Sequence, residues 1–259
     1  MNCLNCQNPT SQNFCPNCGQ KTDTLRITFK KFITHDILHG VWHFERGIFY
    51  TIKEVILRPG NAALDYISGK RIKYYNVFYL ILLFIGLNIF LNQYYDKLNE
   101  YYFNLSTIHK TNTAGKSIDD FVTKYSKLII FSFVPLLAFN SWVIFRRKKL
   151  NLSEHFIISG MIFLGVMIIT TIGSLTNFSE FFKYIDVISN VVDKSIPIFI
   201  IIHLCISYYN CFKENYSTKG IIFRTFLNLI LFLIEIIGLI FLLFGYFTNW
   251  SFNIKLVYQ

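Results

Sequence analysis

From Asn76 onward the chain alternates between apolar runs of about twenty residues and polar joints, and that rhythm predicts its architecture. The first run covers about 76–95, with Val77 to Leu91 almost wholly apolar, and others follow at about 128–145, 156–178, 188–211 and 222–247. A helix needs about twenty such residues to cross the hydrocarbon core of a bilayer, so five crossings are expected. The second crossing carries Pro135, and the polar stretch from Asp96 to Tyr125 precedes it.

Upstream of Asn76 the pattern is different. Residues 25–75 hold many apolar positions, Phe29, Ile33, Val41, Trp42, Ile48 and Ile52 among them, but Gly47 and Arg58-Pro59-Gly60 cut them into pieces too short to span. Such pieces are expected to lie in the membrane interface as amphipathic helices. Thr28 is expected to cap one that begins at Phe29, and a second, Asn61 to Ser68, is expected to end on Gly69 in the left-handed conformation. That would hand Lys70, Arg71 and Lys73 to lipid headgroups and Tyr74 and Tyr75 to the aromatic belt. The expected fold is therefore an all-α polytopic membrane protein in three parts: a small cysteine head at 1–24, a juxtamembrane helical segment at 25–75, and a transmembrane domain at 76–259.

Composition sharpens this picture. A chain with 53% hydrophobic residues and 28 Phe is not a soluble one. Its net charge of +10 raises the question of nucleic acid, yet the Lys and Arg residues cluster beside apolar runs, where topology and anionic lipids select them. Membrane lipids are thus the expected partner and nucleic acid is not. The basic 21–73 segment, the Arg146-Arg147-Lys148-Lys149 run and Lys213, Lys219 and Arg224 all fall at one end of the five crossings. That end is expected in the cytoplasm, with the N-terminus there and the C-terminus on the opposite side.

Four of the six cysteines form two C-x2-C pairs, Cys3/Cys6 and Cys15/Cys18, separated by eight residues. Short loops of this kind aim two thiolates each at one ion, and two loops close a tetrahedron with no open position, the signature of a structural zinc ribbon in a reducing compartment. About twenty residues have no core of their own, so the ion is expected to fold them.

Three further sets of residues attract attention. His35, His39 and His43 recur every four residues and share one stripe of a helix. Neighbouring pairs are compatible with a second metal site, whereas the outer two lie about 12 Å apart on a straight helix, too far to share one ion; the favoured reading is interfacial or partly buried histidines bonded to backbone or headgroups, with pH sensing a further alternative. Within the crossings stand Asn88, Asn140, His203 and Glu235. Ionisable groups at such depth are costly and rarely face lipid, so His203 and Glu235 are expected to face each other with Asn88 or Asn140 nearby, as a relay or as interhelical glue. Cys205 and Cys211 point to different faces and read as small apolar residues. No phosphate loop, catalytic triad, H-E-x-x-H helix or internal repeat is visible.

Taken together, Cys3-x2-Cys6, Cys15-Pro16-Asn17-Cys18-Gly19-Gln20-Lys21, Gly47, Thr51, Arg58-Pro59-Gly60, Tyr66-Ile67-x-Gly69-Lys70-Arg71 and Tyr75-Asn76 resemble DUF3667, an uncharacterised bacterial membrane family. In that family Asn76 is commonly followed by Pro, where this chain has Val77. The resemblance implies a bacterial inner membrane and an N-terminal zinc ribbon, and supplies no catalytic residues. The favoured function is a membrane scaffold or regulator that presents the ribbon to a cytoplasmic protein partner, with oligomerisation left open. The alternatives are a solute or proton transporter built on His203 and Glu235, a lipid-acting metalloenzyme built on His35, His39 and His43, and a tethered nucleic-acid binder.

Overall fold

In a computed structural model the described residues are 1–22, 27, 47–103, 113–182 and 186–250. Eight α-helices fall within them: α1 Gly47–Leu57, α2 Asn61–Ile67, α3 Val77–Phe103, α4 Thr113–Phe131, α5 Phe133–Ile144, α6 Leu152–Asn177, α7 Asp186–Phe212 and α8 Thr218–Phe247. Five units are long and apolar enough to cross a membrane: Val77–Tyr102, Asp120–Ile144, Leu152–Phe181, Ser189–Phe212 and Thr218–Phe247. The proposed capping Thr28 and the histidines His35, His39 and His43 lie outside the described residues.

Hydropathy marks the bilayer-sized stretches, but the helices run past them. α3 continues through the polar residues Asp96 to Glu100 to reach Phe103, because a helix already nucleated in an apolar run can extend into water where no Pro or Gly stops it. The second crossing is two helices rather than one. Pro135 lacks an N–H and its ring crowds the carbonyl four residues back, that of Phe131, where α4 ends and Ser132 makes the joint to α5.

α6 is the hub. In its most apolar stretch 67% of the residues are buried, against 6% for α8, which lies at the edge of the bundle. Ile157, Ile158, Ile162 and Leu164 pack in the core with Leu80, Ile81 and Ile85 of α3 and with Tyr208 and Phe212 of α7. Gly160 lets α3 approach, since a Cβ there would stand 3.3 Å from the ring of Phe78. α6 begins with a capping box: Asn151 accepts from the Glu154 N–H while Glu154 accepts from the Asn151 N–H. The Asn151 side chain also donates to the Ile27 carbonyl, which ties the incoming chain to the hub. Asn151→Ala is expected to cost about 1 kcal/mol or somewhat more, read as a lower thermal midpoint in detergent.

The ends of α5 and α7 and the starts of α3, α6 and α8 meet at one end of the bundle, and α1 and α2 lie across it. Their seat is tight. Gly60, at φ 81°, sits so close to α7 that a Cβ would stand 2.2 Å from the Ser207 carbonyl oxygen. Asn210 donates to the Pro59 carbonyl (2.9 Å) and the Cys211 thiol to that of Gly60 (3.4 Å). These contacts explain why the chain carries Arg58-Pro59-Gly60 here: the turn must let backbone touch backbone.

Candidate functional site

The N-terminal head is built from two copies of one turn. Cys3 N–H donates to the Asn8 carbonyl and Gln7 N–H to that of Cys3; twelve residues on, Cys15 N–H donates to Gln20 and Gly19 N–H to Cys15. The bridges Asn2–Pro9 and Phe14–Lys21 repeat at the same offset. Gln7 and Gly19 occupy matching left-handed positions, φ 63° and 73°. The duplication is faint in the sequence: beyond the cysteines only Asn5/Asn17 and Thr10/Thr22 recur in both halves.

The turns bring the four sulfurs of Cys3, Cys6, Cys15 and Cys18 within 4.8 Å of one another, with Cys3–Cys18 at 3.6 Å and Cys6–Cys15 at 3.5 Å. A zinc–sulfur bond of about 2.3 Å gives a tetrahedron whose edges are a little under 4 Å, so the donor set fits such an ion. The electrostatics agree. Backbone N–H groups of Cys6 and Asn5 hold the Cys3 thiol below its ordinary value, and that of Asn8 brings Cys6 down to about 6. The Cys18 N–H also pulls on Cys15, but burial and the facing sulfurs of Cys6 and Cys18 push it up to about 11. Four thiolates at this spacing repel one another, and a central cation removes that conflict.

The head is docked, and Gln20 docks it. This buried side chain donates to the Gly69 carbonyl (2.6 Å), while its oxygen accepts from Arg71 N–H (3.2 Å) and, more weakly, Ile72 N–H (3.4 Å). Leu4 fills the space beside Gly69, where φ is 102° and a Cβ would meet the leucine at 2.6 Å. Gly69 therefore does more than end α2; its bare Cα is the landing point of the head.

The plate beneath is stitched the same way. The Thr51 hydroxyl donates to the Gly47 carbonyl and accepts from Tyr75 N–H, both at 2.8 Å, which joins α1 to the turn before α3. Gly47 is needed because a Cβ would lie 3.0 Å from the Tyr75 nitrogen. Asn76 caps α3 by accepting from Phe78 N–H (3.0 Å), so the next residue is the first helical position, where Pro or Val serves equally. Tyr74 packs its ring edge-on against Tyr50 and Tyr66, and burial pushes its hydroxyl well above the ordinary phenol range.

Of the three basic residues expected at headgroups, two are engaged within the protein. Lys70 pairs with Asp65 (2.8 Å), and Arg71 donates to the Tyr66 carbonyl and lies over its ring. Asp65 also meets Arg58, which is itself paired with Glu54 at 2.7 Å. Lys73 is exposed.

Inside the bundle the expected facing of His203 and Glu235 is not made; no hydrogen bond or ion pair joins them. Glu235 of α8 accepts from Asn140 of α5 at 2.9 Å. His203 of α7 is buried against α6 at Gly165, where a Cβ would stand 2.1 Å from its Nε2. Equal depth brought both to notice, but depth does not fix which way a helix is turned. Asn88 takes a third place, donating to Thr171 (2.7 Å) and to the Phe84 carbonyl. Gly165→Ala is expected to cost about 1–3 kcal/mol by overpacking. Adding His203→Ala should recover part of that loss in a double-mutant cycle of thermal midpoints.

A polar layer nearer the α1–α2 end escaped notice in the sequence. Ser141 of α5 bonds His155 Nδ1 of α6 (2.8 Å), and Asn228 of α8 donates to the Tyr208 hydroxyl of α7 (2.9 Å), all fully buried. Asn228 alone was legible, as a polar residue inside the last apolar run. Such pairs tie four helices together where hydrophobic packing gives little preference for one rotation over another.

Five apolar helices and a four-cysteine head define a multi-pass membrane protein with a candidate metal centre. The family described as "Protein of unknown function (DUF3667)" matches at residues 45–86, the stretch from just before α1 into α3. That bears out the resemblance read from the motifs; the head and the last four crossings lie outside the matched stretch. No curated protein and no solved structure matches the chain.

Proposed function

We propose that the protein is a scaffold or regulator of a bacterial inner membrane that offers a zinc-bound ribbon, residues 1–22, to a cytoplasmic protein partner. The observation that carries this reading is the Gln20 contact. A ribbon held by three hydrogen bonds to the Gly69 turn stands at a fixed place and angle over the bundle, which is what a recognition surface needs and a tethered, freely moving head would lack. A closed four-thiolate site has no open position for catalysis. Phe14 and Met1 remain exposed on the docked head, as an apolar contact would use them. A photo-crosslinker at Phe14 should give an adduct with a soluble protein in cells, lost in the Cys15→Ser, Cys18→Ser variant and retained with Glu235→Gln. An adduct indifferent to the cysteines, or none at all, contradicts the reading.

The same proposal places the N-terminus in the cytoplasm and the C-terminus across the membrane, because the basic turns Arg146–Lys149 and Lys213–Arg224 share an end with the head. Alkaline phosphatase fused after Gln259 should be active and a fusion in the 146–149 turn inactive; the reverse pattern would overturn the orientation.

A further inference from the structure

The contacts that occupy Lys70 and Arg71 leave another pair of cations conspicuous. Tyr216, buried in the turn between α7 and α8, carries two guanidinium groups on its ring: Arg147 at 5.1 Å and Arg224 at 4.5 Å from the centroid. The two charges are therefore no farther apart than about 10 Å, roughly the screening length of 0.1 M salt. No carboxylate pairs with either among the described residues. The one acid of that turn, Glu214, lies close enough to Lys148 to act on its charge.

The pair is also held in place. Tyr216 stands edge-on to Phe145 (5.9 Å) and Phe212 (6.4 Å), and its hydroxyl accepts from the Arg147 N–H at 2.8 Å. The turn behind Arg147 closes on Lys149 at φ 52°, and Lys148 is fixed by donating to the Cys211 carbonyl (2.7 Å). Two like charges held within about 10 Å of each other, with no acid of the described residues paired to either, are a cost to the fold unless an anion joins them. A guanidinium presents its N–H groups in a fork that matches phosphate oxygens.

What surrounds the pair says which phosphate. Arg224 sits on the first turns of α8, flanked on its side of the helix by Phe223 and Leu227, exposed at 64% and 37%, on the helix least covered by protein. A cationic fork above an apolar slope, at the level where the crossings begin, fits a phosphate that has acyl chains attached. From this we infer that Arg147 and Arg224, gripping Tyr216, form a binding site for the headgroup of an anionic glycerophospholipid, whose chains lie along Phe223 and Leu227. Basic pockets between helix ends are a recurring way to hold such lipids.

The test is native mass spectrometry of the full-length protein from neutral detergent, titrated with phosphatidylglycerol, phosphatidylcholine or inorganic phosphate. Phosphatidylglycerol should bind about tenfold more tightly than phosphatidylcholine, and millimolar inorganic phosphate should not displace it. Arg147→Gln with Arg224→Gln should erase the preference, and Lys70→Gln with Lys73→Gln should leave it intact. Phe223→Gln with Leu227→Gln should weaken the lipid without restoring competition by phosphate. Should the double arginine variant fail to purify as a monodisperse protein, Arg147→Lys and Arg224→Lys keep the charge but lose the fork, and each should cut the preference severalfold. Equal binding of both lipids, an unchanged preference in the arginine variants, or displacement by inorganic phosphate would overturn the inference.

Discussion

Replacing Cys15 and Cys18 together with serine is expected to remove the entire metal complement of the protein's head and to unfold residues 1–22, leaving the five-helix bundle folded. The effect is large because the head has almost nothing else. Cys3 and Cys15 are its buried apolar groups, alongside Thr10 and Gln20, and a structural zinc supplies on the order of 10 kcal/mol in domains of this size. The bundle is independent of that loss, since its core runs through α3, α5, α6 and α7 and draws nothing from residues 1–22. Metal analysis should fall from about one zinc per chain to none, and limited proteolysis should trim the head while the rest stays intact. Loss of the bundle with the head would show that the two fold as one unit.

The second large effect is expected at Gly60. Alanine there must adopt a φ of 81° and place its Cβ 2.2 Å from the Ser207 carbonyl, a backbone atom of α7 that cannot step aside as a side chain can. The left-handed conformation costs about 1–2 kcal/mol and the overpacking a further 1–3, so a loss of about 3 kcal/mol is expected. It should appear as a lower thermal midpoint and as faster cleavage between α1 and α2. An alanine variant as stable as the wild type would mean that the plate is not seated on α7 as described.

These two sites mark what the sequence made legible. The cysteine pairs are a local signal, because metal ligation needs fixed spacing within short loops, and the crossings are another, because the bilayer sets their length. Arg58-Pro59-Gly60 was visible as a break, but not as a seat: its reason lies in Ser207, Asn210 and Cys211, some 150 residues away in sequence. Gln20 was visible only as part of the Cys15-to-Lys21 motif, and its docking role lay hidden because the Gly69 turn that it meets is 49 residues on. His203 and Glu235 show the opposite error. Both are conspicuous in apolar runs, but α7 turns one toward Gly165 and α5 supplies Asn140 to the other. Lys70 stood beside a span and read as a headgroup contact, while Asp65, five residues back across the α2 turn, claims it.

Glu235 permits a smaller check on the membrane reading. Glu235 accepts its hydrogen bond from the Asn140 amide, a contact that a glutamine of the same shape can also make. Glu235→Gln should then change the thermal midpoint little, by about 0.5 kcal/mol or less, whereas Glu235→Lys should prevent stable insertion.

The central claim is that the metal-bound head is docked on the Gly69 turn through Gln20, and amide hydrogen exchange at Arg71 and Ile72 tests it most directly. Both N–H groups point at the Gln20 side-chain oxygen. They should be protected in the zinc-loaded protein and should exchange at least tenfold faster after chelation or in Gln20→Ala, while amides of α6 stay unchanged. Exchange at Arg71 and Ile72 that is fast from the start, or indifferent to both zinc and Gln20, would contradict the account.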